Sequence, residues 1–485
     1  MRPPDAAGGA PSMTPEDLVA ATGGRLLRRR RRGIRGGAVD SRLVTPGAVF
    51  VALPGERTDG HRYLAAAAAA GAAALLVSRL PAADETPFDA LGDVTVVLVP
   101  DTLRGLHAIA AMWRRRFSPV VVGVTGSIAK TSTKEAVAGV LERRFETLRT
   151  EGNQNNEVGM PLTVLRLGLE HGAAVLEMGM YAGGEIRDLA AIGLPSIGIV
   201  TAVQPVHLSR IGSLEAIEDA KAELVEALPP ADEGGVAILN ADDPRVRRMG
   251  VRTRARVTTY GFAADATVHA EDVISLGFAG MRFRLVTPAG ARRVEIPALG
   301  RLAVHNALAG TAAGLAAGMA LDEILPGLSA ASHAEHRSVV IRAGGVVIVD
   351  DAYNASPASV TAALELLAGL PGRHLAVLGE MRELGDAHDV GHRQAGEAAG
   401  RALERLVVVD GGPGGAAAGI VEGALAAGLP TRAVTVVEEA GDAVARLRDE
   451  LRPGDVVLVK ASRGIELERV VDGLVDALGG PERRA

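Results

Sequence analysis

Cysteine is absent from the 485 residues, which excludes disulfide scaffolding, thiol nucleophiles and thiolate metal sites. Aromatic residues are scarce as well, at 2% of the chain, so the core must be aliphatic and rich in alanine. No excess of positive charge is present: the formal net charge is -6, which gives no overall attraction to nucleic acid or anionic membranes. A site for a phosphorylated ligand must therefore be built locally. No apolar run is long, either. The longest, residues 64–77, is mostly alanine and falls well short of the roughly 20 residues that span a bilayer. The opening residues have no basic segment followed by an apolar stretch, so no signal peptide is read there. A cytoplasmic protein is expected, without membrane insertion, without a nucleic-acid partner and monomeric. The arginine run at 28–32, flanked by glycines, reads as a solvated face rather than a polyanion site.

The length suffices for about three domains of roughly 100–200 residues each, and three blocks emerge. Residues 1–117 begin with a helix at 14–22, started by Pro15, followed by short strands such as 48–53 and an alanine-rich helix. Residues 118–326 begin with the β-branched run 120–124, a buried strand, then a glycine-containing turn and a helix from Thr131 to about Arg144. Strand-like runs recur at 174–176, 197–201 and 236–240, separated by helical stretches. That alternation predicts a largely parallel sheet covered by helices, an α/β class. The stretch 255–300 alternates apolar residues with few helix signals and reads as a β-rich insertion. Residues 327–485 repeat the alternation, with strands expected at 346–349, 374–378, 405–409, 434–437 and 455–459.

Gly123-Val-Thr-Gly-Ser-Ile-Ala-Lys-Thr-Ser-Thr-Lys-Glu135 joins the first central strand to its helix. Such a turn aims backbone N–H groups and the positive end of a helix dipole at one point, which suits polyphosphate. Lys130 can reach the β and γ phosphates, and the Thr131 hydroxyl can ligate Mg²⁺. The strict pattern places glycine before the lysine, where this chain has Ala129. Alanine is acceptable there if its dihedrals are helical, and costs roughly 1–2 kcal/mol if they are left-handed.

Downstream, residues 150–161 gather Asn153, Asn155 and Asn156 in a glycine-punctuated loop. Their amides suit a carbonyl or sugar, but the loop taken alone reads as turn capping. Glu177 ends a buried strand, at the edge where open α/β sheets bind ligands. His207 follows the 197–201 strand, and Lys221 lies on the helix 214–228, where Glu218 or Glu223 could pair with it. Together with Thr131 and Glu177 they would form an oxygen- and nitrogen-rich shell for Mg²⁺. In the last block Asp350-Asp-Ala-Tyr-Asn-Ala-Ser-Pro357 ends a strand with two acids, an aromatic and an asparagine, a set that could hold a ribose and flank adenine. The segments 378–386 and 458–464 sit at neighbouring strand ends and place charged groups on the same edge.

These motifs, in this order, resemble the Mur ligase family, and within it the branch that adds D-alanyl-D-alanine to a UDP-N-acetylmuramoyl-tripeptide. The resemblance rests on residues 39–47, 49–52 and Asp59-Gly-His61; on the ATP loop, 152–156, 176–179 and His207 through Lys221; and on 350–357, 378–386 and 460–464. It implies a uridine-nucleotide-binding first domain, an ATP-binding central domain and a Rossmann-like third domain. By the same resemblance, Ser41, Arg42, Asp59, Gly60, His61, Asn153, Asn155 and Asn156 contact the nucleotide-linked substrate. ATP falls to Gly126, Ser127, Ile128, Ala129, Lys130, Thr131, Ser132, Asn306, Arg337, Asp351, Tyr353 and Asn354. Lys130, Glu177, His207 and Lys221 are the implied catalytic set. Two Mg²⁺ ions are implied, one on Thr131 and Glu177, the other on His207 and a carbamylated Lys221. The chain departs from the family pattern at Ala129, at Leu302 and Ala303, which replace a His-Asn pair, and at Ser209, which replaces a glutamate. Two other readings remain: a ligase acting on a folate or poly-amino acid, and a catalytically silent relative that binds nucleotide precursors.

Overall fold

The computed structural model describes residues 11–55, 58–205, 211–330, 336–411 and 415–482, and its strands fall into three sheets. The first holds β1 (Arg25–Arg28), β2 (Gly37–Ala38), β3 (Val49–Val51), β4 (Ala74–Val77) and β5 (Thr95–Leu98), in the order β1-β5-β4-β3-β2. β2 to β5 run parallel and β1 closes the edge antiparallel. The apolar tract at 64–77 is not one helix. Helix Leu64–Ala69 ends just before Gly71, which takes a left-handed φ of 101°, and the bulkier Leu75, Leu76 and Val77 enter the buried β4. The arginine run is likewise only partly loop. Arg28 lies in β1 and donates to the Phe88 carbonyl, Arg29 pairs with Glu16, and Arg30 pairs with Asp93.

The second sheet contains β6 (Val120–Thr125), β7 (Thr147–Arg149), β8 (Ala173–Glu177), β9 (Ile197–Val200), β10 (Val236–Asn240), β11 (Arg256–Gly261), β12 (Val268–Ser275), β13 (Met281–Thr287) and β14 (Gly290–Ile296). Its order is β14-β13-β12-β11-β10-β9-β6-β8-β7, parallel from β7 through β12 and antiparallel beyond. The stretch expected as an insertion is therefore a continuation of the same sheet, because β11 pairs parallel with β10. Helices Lys130–Leu141 and Gly300–Ala316 pack against each other and share an aliphatic cluster with Val122, Val124, Val175 and Ile199 of the sheet.

The third sheet holds β15 (Val339–Ala343), β16 (Val346–Asp350), β17 (Arg373–Gly379), β18 (Arg405–Val409), β19 (Val434–Val437) and β20 (Asp455–Lys460). It is parallel in the order β16-β20-β17-β18-β19, with β15 antiparallel at the edge. Helices cover both faces with separate apolar clusters. The first two units share one core: Met13, Leu18, Leu106, Ile109 and Trp113 belong to the same cluster as Met160, Val164, Leu189 and Met249. The Trp113 indole N–H also donates to the Leu167 carbonyl, and Arg114 donates to that of Gly193. The third unit meets the second more narrowly, through Leu299, through Gly300 against Leu366, and through Arg342 over the Phe278 ring. Among the described residues no helix is long and apolar enough to cross a membrane.

Candidate active site

The C-terminal ends of β9, β6 and β8 lie side by side, and the chain leaves β6 through residues 126–129 to enter helix Lys130–Leu141. Gly126 is required there. A Cβ on it would fall 1.9 Å from the Thr201 hydroxyl, and its φ is 147°. That hydroxyl donates to the Ile128 carbonyl at 2.6 Å, and the Ser127 N–H donates to the Ala202 carbonyl at 2.8 Å. The loop is thus fastened to the strand end beside it while its helix N-terminus stays open. Ala129 is the N-cap, in a left-handed conformation (φ 62°, ψ 5°) with no side-chain cap. The strained alternative weighed from the sequence is the one realised.

Lys130, half-buried, rests its ammonium on the Gly126 carbonyl at 2.8 Å. Burial lowers its pKa, a trend opposed by Glu177 and reinforced by the charge of Arg337 across the cleft. Thr131 donates to Glu177 Oε1 at 3.3 Å, and the Asn155 amide donates to the same oxygen at 2.8 Å. The other oxygen, Glu177 Oε2, is buried without a hydrogen-bond partner. Lys221 is 2% exposed, and among the described residues its amine has no hydrogen bond or ion pair. Burial sets its pKa well below the ordinary lysine value, and the charge of Lys130 pushes the same way. The local pairings open to it in sequence are not made. Glu218 is taken by Arg245 and Arg248, and Glu223 accepts the N–H groups of Gly184 and Arg187.

The third sheet supplies the opposite wall. Lys460, at the end of β20, is 1% exposed and pairs with Asp351 at 2.5 Å while donating to the Asn354 carbonyl at 2.9 Å. Its pKa is lowered by burial, against the pull of Asp351. The Tyr353 ring lies under two guanidinium groups, Arg337 at 4.4 Å and Arg463 at 5.3 Å. The two walls enclose a cleft of about 770 Å³. Of the residues expected from sequence, Gly126 through Ser132, Asn153, Asn155, Asn156, Glu177, Lys221, Asn306, Arg337, Asp351, Tyr353 and Asn354 all line it. His207 and Ser209 lie outside the described residues. Leu302 and Ala303 line the cleft one helical turn before Asn306, whose amide oxygen accepts from Thr133 at 2.9 Å.

The first-domain residues lie elsewhere; none of the five lines this cleft. Ser41 and Arg42 sit in a short turn capped by Asp40, onto which the exposed Arg42 folds. Asp59 caps the turn Gly60–Tyr63 and takes Arg79, while buried His61 donates to Asp59 and accepts the Ser78 N–H. Other participants escaped sequence reasoning. Thr201 could have been flagged as a hydroxyl at the end of the strand beside β6. Lys134, 1% exposed, donates to the Thr150 carbonyl at 2.6 Å and so holds the base of the asparagine loop. Nothing in the sequence separates it from a surface lysine. Arg382, Ser462 and Arg463 come from the strand-end segments expected to form a charged edge, and all line the cleft.

Three family models match the chain: the Mur ligase family catalytic domain at residues 34–114, the Mur ligase middle domain at 124–314, and the Mur ligase glutamate ligase domain at 336–463. The chain is 39% identical to the UDP-N-acetylmuramoyl-tripeptide–D-alanyl-D-alanine ligase of Mycobacterium tuberculosis, over 90% of this chain and 91% of that protein. It is 36% identical to the Escherichia coli enzyme of the same name, over 90% and 92%. Among solved structures, MurF from Acinetobacter baumannii superposes with a TM-score of 0.85 at 30% identity, covering 96% of this chain and 99% of that one. The Thermotoga maritima MurF ligase in complex with ADP gives 0.79 at 28% identity, covering 92% and 98%. With the motifs in order and the cleft assembled between the second and third sheets, the chain belongs to the Mur ligase family, in the branch of UDP-N-acetylmuramoyl-tripeptide–D-alanyl-D-alanine ligases.

Proposed function

We propose that this chain is an ATP-dependent amide ligase joining D-alanyl-D-alanine to a UDP-N-acetylmuramoyl-tripeptide, with release of ADP and phosphate, in the cytoplasm and as a monomer. The observation that carries the reading is one cleft shared by the phosphate loop on β6, Glu177 and Lys221, and the charged strand ends of β16 and β20. The ADP-bound relative supports the nucleotide. Residues 1–117 would hold the uridine nucleotide, with Ser41, Arg42, Asp59, Gly60 and His61 at that end, 118–326 the ATP phosphates, and 327–485 the far side of the nucleotide.

The terminal carboxylate of the tripeptide attacks the γ-phosphorus, the bond to the β-phosphate oxygen breaks, and an acyl phosphate forms as ADP leaves. The neutral amine of D-alanyl-D-alanine then attacks that carbonyl and loses a proton, and the tetrahedral adduct expels phosphate. The protein contributes positioning and charge. Lys130 exchanges the Gly126 carbonyl for phosphate oxygens, the open first turn of its helix donates N–H groups, and Arg337 brings a second positive charge from across the cleft. Asn153, Asn155 and Asn156, which line the cleft, would contact the nucleotide-linked tripeptide.

The residues present fit Mg²⁺. Glu177 offers a buried oxygen with no partner beside the Thr131 hydroxyl, both hard donors. Mg²⁺ is commonly held by one or two carboxylates together with substrate phosphates and water. When bound, Mg²⁺ would neutralise charge on the phosphate oxygens. Burial lowers the pKa of the unpaired Lys221 amine and so favours the neutral form that can add CO₂ and release a proton; the resulting carbamate, with His207, would hold a second ion. The direct test is phosphate release with UDP-linked tripeptide, with and without D-alanyl-D-alanine. Lys130→Ala should lower turnover at least about 100-fold with the unfolding midpoint unchanged. Near-normal turnover at saturating ATP would overturn the assignment.

A further inference from the structure

Arg337 reaches the cleft on an unusual piece of backbone. Its two neighbours are both left-handed without being glycine: His336 has φ 55° and Ser338 has φ 51°. Such conformations persist in L-residues only where surrounding contacts over-determine them, and here those contacts come from consecutive acids at the end of β16. His336 Nδ1 donates to Asp350 Oδ2 at 2.7 Å, and the Ser338 N–H donates to Asp351 Oδ1 at 3.1 Å. A third bond closes the frame, from the Tyr353 N–H to the His336 carbonyl at 3.2 Å. Asp350 is 3% exposed, and burial raises its pKa against the opposing effect of His336. The guanidinium of Arg337 is thereby laid over Tyr353, with its Nε buried and without a partner. It is close enough to Lys130 for the two charges to repel.

Resting on the ligase reading above, we propose that His336 is a positioning residue: anchored on Asp350, it holds the left-handed backbone that places Arg337 opposite the phosphate loop. His336 touches no reactant. Its influence passes through Arg337, as the partner behind a metal-bound histidine acts through the ligand it orients, where removal typically costs about 10–100-fold.

A double-mutant cycle on the full chain tests this, with kcat and KM for ATP as readouts. His336→Ala is expected to reduce kcat/KM about tenfold, and to do nothing further in an Arg337→Ala background, because residues acting as one unit are not additive. His336→Asn should recover most of the loss, since its amide can donate to Asp350 and asparagine tolerates the left-handed region. The unfolding midpoint of each variant, taken from a denaturant titration, separates loss of placement from loss of fold. Equal and additive losses from His336→Ala in both backgrounds, or no recovery in a stably folded His336→Asn, would overturn the proposal. Wild-type phosphate release in the same assay bears on the ligase reading alone, so failure of that reading is a separate result.

Discussion

At Ala129 the phosphate loop passes through φ 62°, a conformation that costs an L-residue roughly 1–2 kcal/mol, while glycine there would add about 0.4–1 kcal/mol of unfolded-chain entropy. Ala129→Gly is therefore expected to raise the unfolding free energy by about 1 kcal/mol, measured by denaturant titration, with turnover unchanged. A loss of stability would mean that the methyl group has a packing role. Lys221 presents the opposite case, a residue kept at the expense of stability. A buried amine without a partner destabilises the fold, so Lys221→Met should be at least as stable as wild type and inactive. Lys221→Ala should be inactive and partly restored by acetate, which can replace a lost carbamate as metal ligand. Wild-type-like activity of Lys221→Ala in bicarbonate-free buffer would remove the carbamate from the mechanism.

Among the elements, the segment after β17 has an unusual support. His392, on helix His388–Ala402, is fully buried and accepts the Met381 N–H on Nε2 at 2.8 Å while Nδ1 donates to the His388 carbonyl. Both nitrogens are used only by the neutral ring. Burial lowers its pKa below 6.5, aided by the His388 ring at 4.2 Å and opposed by the His388 carbonyl bond and by Glu380 and Asp389. Between that lowered value and 6.5 the unfolded chain binds more protons than the folded one, so stability falls as pH falls through the window. The slope is at most about 1.4 kcal/mol per pH unit for one proton. His392→Gln is expected to flatten that part of the pH–stability curve, which urea midpoints from pH 5 to 8 would show. The same scale reveals what sequence could convey. The strand, turn and helix around Lys130 were legible because a β-branched run meets glycine and then good helix formers. Glu177 was legible because it ends an apolar strand. The burial of Lys221 was not, since its surroundings come from distant chain and its near neighbours Glu218 and Glu223 offered plausible partners. β15 was missed although Gly344-Gly345 is a hairpin signal, because its residues are mostly half-exposed. The first-domain positions matched a family pattern, but their capping and internal bonds at Asp59 and His61 could be seen only in the fold.

For the whole molecule, the unequal seams matter most. The first two units share an apolar cluster through helix Thr102–Arg114, which packs on helices Gly159–Val164 and Glu185–Gly193. Each large aliphatic side chain left bare there would forfeit about 1.5–3 kcal/mol. The third unit has its own clusters and a narrow contact. Residues 336–482 made alone are expected to give a dispersed amide NMR spectrum and cooperative unfolding, whereas 118–326 made alone should give neither until 1–117 is joined to it. A well-folded isolated 118–326 would refute the shared core. That core also sets a schedule during synthesis. The first unit leaves the ribosome before its partner surface exists, and Met249, the last methionine of the common cluster, follows residue 117 by 132 positions. At roughly 5–20 residues per second, the common cluster is complete as far as Met249 only roughly 7–26 s after residue 117 has been added. In that interval the nascent chain is a natural client for a chaperone at the exit tunnel, whereas the third unit completes its own clusters once helix Glu468–Ala477 has followed its last strand.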